Sequence, residues 1–270
     1  MAGKIIGIIS IKGGVGKTTT VSNLGAILAK DFGKKVLVVD ANYSAPNLGL
    51  HFGLVNPKIT LHHVLRDTHK VSKAIYEHEK FPELHVLPAS LMPRKKINPY
   101  KLRNRIDELK DYYDFILIDS SPTLNEEMLS TIIASDELLV VTSPDFPTLS
   151  CTMRAVKTAK QRKTPIAGLV MNKVRNKRFE LSINEVEDAA QAPVLAVVPD
   201  DVRLLEALAA ANPATAHAPM SNAVVEYKKL AACLVGEDFK DKRFKTRVKS
   251  FFSSEIRKDE ANRAILREKY

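Results

Sequence analysis

The chain has 270 residues, 45% of them hydrophobic, which suffices for one large α/β domain with a substantial core or for two small ones. No apolar run approaches the roughly 20 residues that span a bilayer, and Ile5–Ile9 is too short for a signal peptide, so a cytoplasmic chain is expected. Two distant cysteines, Cys151 and Cys233, lack metal-ligand spacing and read as reduced thiols, and the net charge of +10 is uneven: residues 239–270 hold 11 Lys/Arg against 5 Asp/Glu.

In chain order, Ile5–Ile9 is a buried strand that meets a glycine loop, Lys12-Gly13-Gly14-Val15-Gly16-Lys17-Thr18-Thr19. A strand ending in Gly-rich backbone aims several N–H groups into one concavity, where phosphate oxygens sit at the positive end of the next helix. Lys17 neutralises β/γ-phosphate charge there, and the Thr18 hydroxyl ligates Mg²⁺. The general G-x-x-x-x-G-K-[ST] pattern fails at its first position, Ile11, and a second lysine, Lys12, precedes the glycines instead. Val21, Leu24, Ile27 and Leu28 give Thr18–Phe32 a helical period, closed by Gly33. Lys35–Asp40 is the next buried strand, so the opening is a βαβ unit.

The stretch 41–54 reads as loop, and Thr60 as the N-cap of a short helix. His51, His62 and His63 match no zinc spacing. Further strands are expected at Leu84–Leu87, Phe115–Asp119, Glu137–Thr142, Ile166–Asn172 and Val194–Val198. Helices are expected near Tyr100–Lys110, Glu126–Ala134, Pro147–Arg162, Glu180–Ala190, Val202–Ala210 and Ala223–Leu234. The alternation predicts a single doubly wound, mostly parallel sheet of P-loop NTPase type with helices on both faces. Lys17, Asp40, Asp119 and Asn172 all fall at carboxyl ends of strands, where such sheets bind ligands.

Asp119 closes an apolar strand and is expected to hold Mg²⁺ through a water. Asp40, followed by Asn42, is expected to sense the γ-phosphate and position the attacking water, with Asp40 a further candidate metal ligand. Asn172 offers an amide donor and acceptor to a purine, and Pro199–Asp200 place backbone near the base.

The segments KGGVGKTT, VVDAN, PNLGLHFGL, FILIDSSP, ASDELLVVTSPD, VMNKV and VVPDD together resemble the MinD/ParA family of deviant Walker A ATPases over about residues 3–235. Asn47–Leu50 and Gly53-Leu54 are similar to its MinD branch of archaeal type. The resemblance implies ATP and Mg²⁺ as cofactors and an ATP-dependent homodimer in which Lys12 reaches the partner's phosphates. It also implies slow hydrolysis, a protein activator or cargo, and a role in positioning a cellular structure such as a division site. Loops 41–50 and 120–125 match switch I and switch II. One departure is Asn42, where the family commonly has a second Asp tied to hydrolysis; an amide orients a water but cannot accept its proton, which predicts slow turnover.

The resemblance divides the chain into an ATPase domain, 1–236, and a basic tail, 237–270. In the tail Phe244, Val248, Phe251, Phe252 and Ile256 recur on one helical stripe among Lys and Arg. Such a segment suits an anionic membrane surface, and two copies in a dimer would bind far more tightly than one. The alternatives are a tail helix packed on the chain's own core or a solvated charge run, a ParA-like partition ATPase whose tail binds nucleic acid, and an ATP-binding scaffold that barely turns over.

Overall fold

A computed structural model of the chain describes residues 3–92, 96–239, 241, 243 and 257–269. The apolar runs become strands of one sheet: β1 (Lys4–Ile9), β2 (Val36–Ala41), β3 (Tyr76–His78), β4 (Phe81–Leu87), β5 (Phe115–Ser120), β6 (Glu137–Thr142), β7 (Ile166–Val174) and β8 (Val194–Pro199). Their order is β3-β4-β2-β5-β1-β6-β7-β8. Every pairing is parallel except β3 with β4. All six residues of β2 and of β5 are buried, because helices cover both faces, and so both read as unbroken apolar runs.

One face carries α1 (Lys17–Phe32) and α9 (Asn222–Leu234). Leu24, Ile27 and Leu28 of α1 meet Tyr227 and Leu230 of α9 over Ile6, Val38 and Leu117. The other face carries α2 (Leu61–Leu65), α3 (Leu102–Asp107), α4 (Glu126–Ala134), α5 (Phe146–Gln161) and α6 (Ile183–Ala190). Two short helices, α7 (Val202–Ala209) and α8 (Ala214–His217), lead from β8 to α9.

The hairpin strand β3 goes beyond the expected elements, and β4 begins three residues before Leu84. The helix expected over Tyr100–Lys110 is a 3₁₀ turn, Pro99–Lys101, running into the six residues of α3. Strand β7 continues past Asn172 to Val174; its pairing with β8 shifts between Met171 and Val174, and Lys173 is left-handed at φ 59°. Thr60 caps α2 in a capping box with His63, and Gly33 ends α1 at φ 61°. His62 Nδ1 accepts from the Ser90 N–H, so these two histidines serve the backbone. Cys151 is half-buried and Cys233 buried, both as free thiols.

The chain returns to the core in α10 (Lys258–Arg267). Its Asn262 and Arg263 side chains donate to the Val194 and Leu195 carbonyls of β8, and Leu266 is buried. Asp259 is fully buried between Arg257 and Arg263. The apolar stripe 244–256 lies outside the described residues. No helix among the described residues is long and apolar enough to cross a membrane.

Candidate functional site

The parallel register sets the site. Ile8 of β1 and Asp40 of β2 both pair with Asp119 of β5, so the two aspartates lie side by side where the loop after β1 crosses the strand ends. The loop Ser10–Gly16 turns through Gly14 at φ 74° and Gly16 at φ 98°, values that L side chains rarely adopt. Gly16 is the N-cap of α1, whose free N–H groups face the loop. Val15 is buried beneath it, while Gly13 and Gly14 are exposed.

Lys17, Thr18 and Asp119 converge. The Thr18 hydroxyl donates to Asp119 Oδ2 at 2.7 Å and lies 3.2 Å from Asn47 Oδ1. Burial lowers the Lys17 ammonium's pKa, against the attraction of Asp119. Burial raises the Asp119 carboxyl to about 6, against the Thr18 hydroxyl and Lys17. Asp119 Oδ1 is buried with no hydrogen-bond partner among the described residues. Asp40 is raised well above the carboxylate range by burial and then by Asp119, although the N–H groups of Leu48, Asn42 and Asn47 favour its charged form. Two neighbouring buried carboxyls with raised pKa values are short of positive charge. A divalent cation supplies that charge, and the orphaned oxygen of Asp119 fits a water or ion.

Asp40 also holds its own loop. Its Oδ2 accepts from Asn47 N at 3.1 Å and Leu48 N at 3.0 Å, and its Oδ1 from Asn42 N at 3.2 Å. The Asn42 side chain donates to Ala45 O at 2.5 Å within that loop.

Asn172 sits against the phosphate loop. Its Nδ2 donates to Val15 O at 2.8 Å, and its Oδ1 is buried with no partner among the described residues. One of the two Nδ2 donors is therefore spent on the loop, and the carbonyl oxygen keeps its acceptor capacity. Asp200 at the end of β8 forms an ion pair with Arg175 at 2.7 Å, and its N–H donates to Val174 O. Thr19 contributes its carbonyl to Ser22 and Asn23 inside α1.

Lys12 stands apart from Lys17. Its ammonium donates to Thr148 Oγ1 at 2.7 Å and to Asp145 Oδ1 at 3.3 Å, at the N-terminus of α5. Burial raises the Asp145 carboxyl, but hydrogen bonds from Ser143, Thr148 and Lys12 outweigh it and hold the pKa at about 2. Asp145 and Thr148 lie outside the residues the sequence singles out, and Asn47, which falls in switch I, gives no sign there of its contact with Thr18. Asp145 carries an N-cap signature before Pro147, yet nothing in sequence pairs it with a lysine 133 positions away.

Residues 3–174 match the family described as AAA domain. The chain is 35% identical over 255 residues to an uncharacterised ATP-binding protein of Methanocaldococcus jannaschii, covering 93% of this chain and 95% of that one. Among solved structures it is similar to the cell division ATPase MinD of Pyrococcus furiosus, with a TM-score of 0.81 and 37% identity over 85% of this chain and 97% of that one. It is likewise similar to the septum site-determining protein MinD of Pyrococcus horikoshii complexed with Mg-ADP, with a TM-score of 0.81 and 34% identity over 86% of this chain and 95% of that one.

Proposed function

Since the chain belongs to the MinD/ParA family of deviant Walker A ATPases, whose cofactors are ATP and Mg²⁺, we propose that ATP brings two copies of it together and that their slow hydrolysis resets a cycle of membrane attachment. Gly13–Thr19 cradle the phosphates, Lys17 neutralises them, and Thr18 with Asp119 holds Mg²⁺, the latter through a water. Bound Mg²⁺ supplies charge neutralisation at the β/γ-phosphates. Asn172, Pro199 and Asp200 take the base. Lys12 leaves Asp145 and Thr148 and reaches the phosphates of the second copy. The observation that carries this reading is the second lysine: its side chain is 41% exposed and its ammonium is held, among the described residues, by Asp145 and Thr148, so redirecting it costs little desolvation.

Asn42 keeps turnover slow, below the ~1 s⁻¹ at the low end of kinase rates, because it orients water without accepting a proton. Phe244, Val248, Phe251, Phe252 and Ile256 engage anionic lipid once two copies are joined, and the cycle positions a cellular structure for a protein partner. The test is co-sedimentation of the full chain with anionic liposomes in ATP or ADP, beside the F251S/F252S variant, which retains α10. ATP-dependent sedimentation that the variant loses supports the reading. Equal sedimentation of the two chains, or none in ATP, refutes the membrane step.

A further inference from the structure

Switch I is fastened to the helix that follows switch II. The Ser44 hydroxyl donates to Glu127 Oε1, and the Ser44 N–H lies 3.4 Å from Glu127 Oε2. One residue earlier, Tyr43 is 3% exposed, with its ring edge-on to His62 at 5.9 Å between centroids. Backbone at 43–44 is thereby held by a buried ring on one side and a carboxylate on the other. Within the loop Asp40 gathers Asn42, Asn47 and Leu48, and Asn42 bonds Ala45, while Asn47 Oδ1 also lies 3.2 Å from the Thr18 hydroxyl of the phosphate loop.

Glu127 is the second residue of α4. The N-cap of α4 is Asn125, the last residue of switch II, whose Oδ1 accepts from Met128 N at 3.1 Å and from Ser121 Oγ at 2.9 Å. One helix N-terminus thus holds both loops, switch II through its cap and switch I through Glu127. Asp40 and Asn42 hang from one, and the chain leaving Asp119 runs into the other.

We propose that Glu127 is a positioning residue that ties switch I to the switch II helix, so that Asp40, Asn42 and the loop after Asp119 respond to the γ-phosphate as one body. The inference rests on the ATPase reading. Glu127 is engaged with Ser44 and stands outside the phosphate and Mg²⁺ cluster, so its loss acts on the hydrolytic geometry and leaves nucleotide binding alone.

The test is single-turnover ATP hydrolysis and Mg-ATP affinity for the full chain and for E127A, S44A, E127A/S44A and E127Q, with unfolding curves for each. The expected loss is about tenfold in the hydrolysis constant for either alanine variant, the scale of one charge-assisted hydrogen bond. Mg-ATP affinity stays within about twofold, the double variant is no slower than the slower single one, and E127Q, which keeps an acceptor for the hydroxyl, recovers most of the rate. An unchanged rate in E127A, losses that multiply in the double variant, or losses that follow unfolding stability overturn the inference. If the unmodified chain fails to bind or hydrolyse ATP, the ATPase reading itself fails, and that outcome is distinct from the others.

Discussion

Gly16→Ala isolates what the phosphate loop requires of its backbone. A Cβ at Gly16 would lie 2.1 Å from Asn172 Nδ2 and 3.4 Å from Asn172 Cγ, and the residue sits at φ +98°. Asn172 cannot swing away freely, because it is buried and its Nδ2 holds Val15 O. The substitution therefore adds left-handed strain of roughly 1–2 kcal/mol. It also breaks a hydrogen bond worth about 1 kcal/mol, with a further cost where Val15 O is left unpaired. A destabilisation of about 2–4 kcal/mol follows. Gly14→Ala is the control: φ is +74° there, but nothing lies within 4 Å of the added atom, so only the strain of roughly 1–2 kcal/mol applies. Urea unfolding measures both, and calorimetry with Mg-ADP reads the consequence, with Gly16→Ala losing at least tenfold more affinity than Gly14→Ala. Equal stabilities and affinities for the two variants would refute the coupling of Asn172 to the loop.

Acid titration separates two opposing groups. Burial lowers His51 and His62 to about 4, so between there and the ordinary imidazole value the unfolded chain binds more protons and stability falls as pH drops. Asp119, raised to about 6, acts in the opposite sense between pH 3.8 and 6, where the folded chain binds more protons. Asp119→Asn should therefore steepen the acid loss of stability by up to about 1.4 kcal/mol per pH unit, and an unchanged slope in urea unfolding contradicts this. Asn42→Asp places an oxygen against Ala45 O, lowering stability by about 1–2 kcal/mol, yet restores a proton acceptor. Phosphate release at saturating Mg-ATP should rise tenfold or more, toward the ~10²–10⁴ a positioned base contributes, and a slower variant would exclude Asn42 as the brake. Arg263→Ala removes a partner of the fully buried Asp259 and a donor to Leu195 O, weakening the docking of α10 by about 3–5 kcal/mol. Hydrogen exchange should show α10 amides losing protection while those of β1 keep theirs.

Much of the architecture was legible because β2, β5 and β6 are buried on both faces, which writes them as short apolar runs ending in Asp or Thr. The phosphate loop was legible because its chemistry is local: glycines for positive φ and lysines at fixed spacing. Strand β3 escaped because Tyr76–His78 is a three-residue edge with one buried side chain, too short to show a period. The docking of α10 escaped for a different reason. Ile265 is exposed and Leu266 alone is a buried large apolar side chain, while Asn262 and Arg263 grip the carbonyls of β8, a recognition that no hydrophobic pattern records. Pairings across distance, Lys12 with Asp145, Asn172 with Val15 and Ser44 with Glu127, arise only once the sheet sets the strand ends side by side.

The central claim is that this phosphate loop is half of a two-subunit site completed by Lys12. Analytical ultracentrifugation of the full chain and of K12A, each in Mg-ATP and in Mg-ADP, tests it most directly. A dimer is expected only for the unmodified chain in Mg-ATP, with K12A monomeric although Gly13–Thr19 still bind nucleotide. A K12A chain that dimerises in Mg-ATP as the unmodified chain does would contradict it.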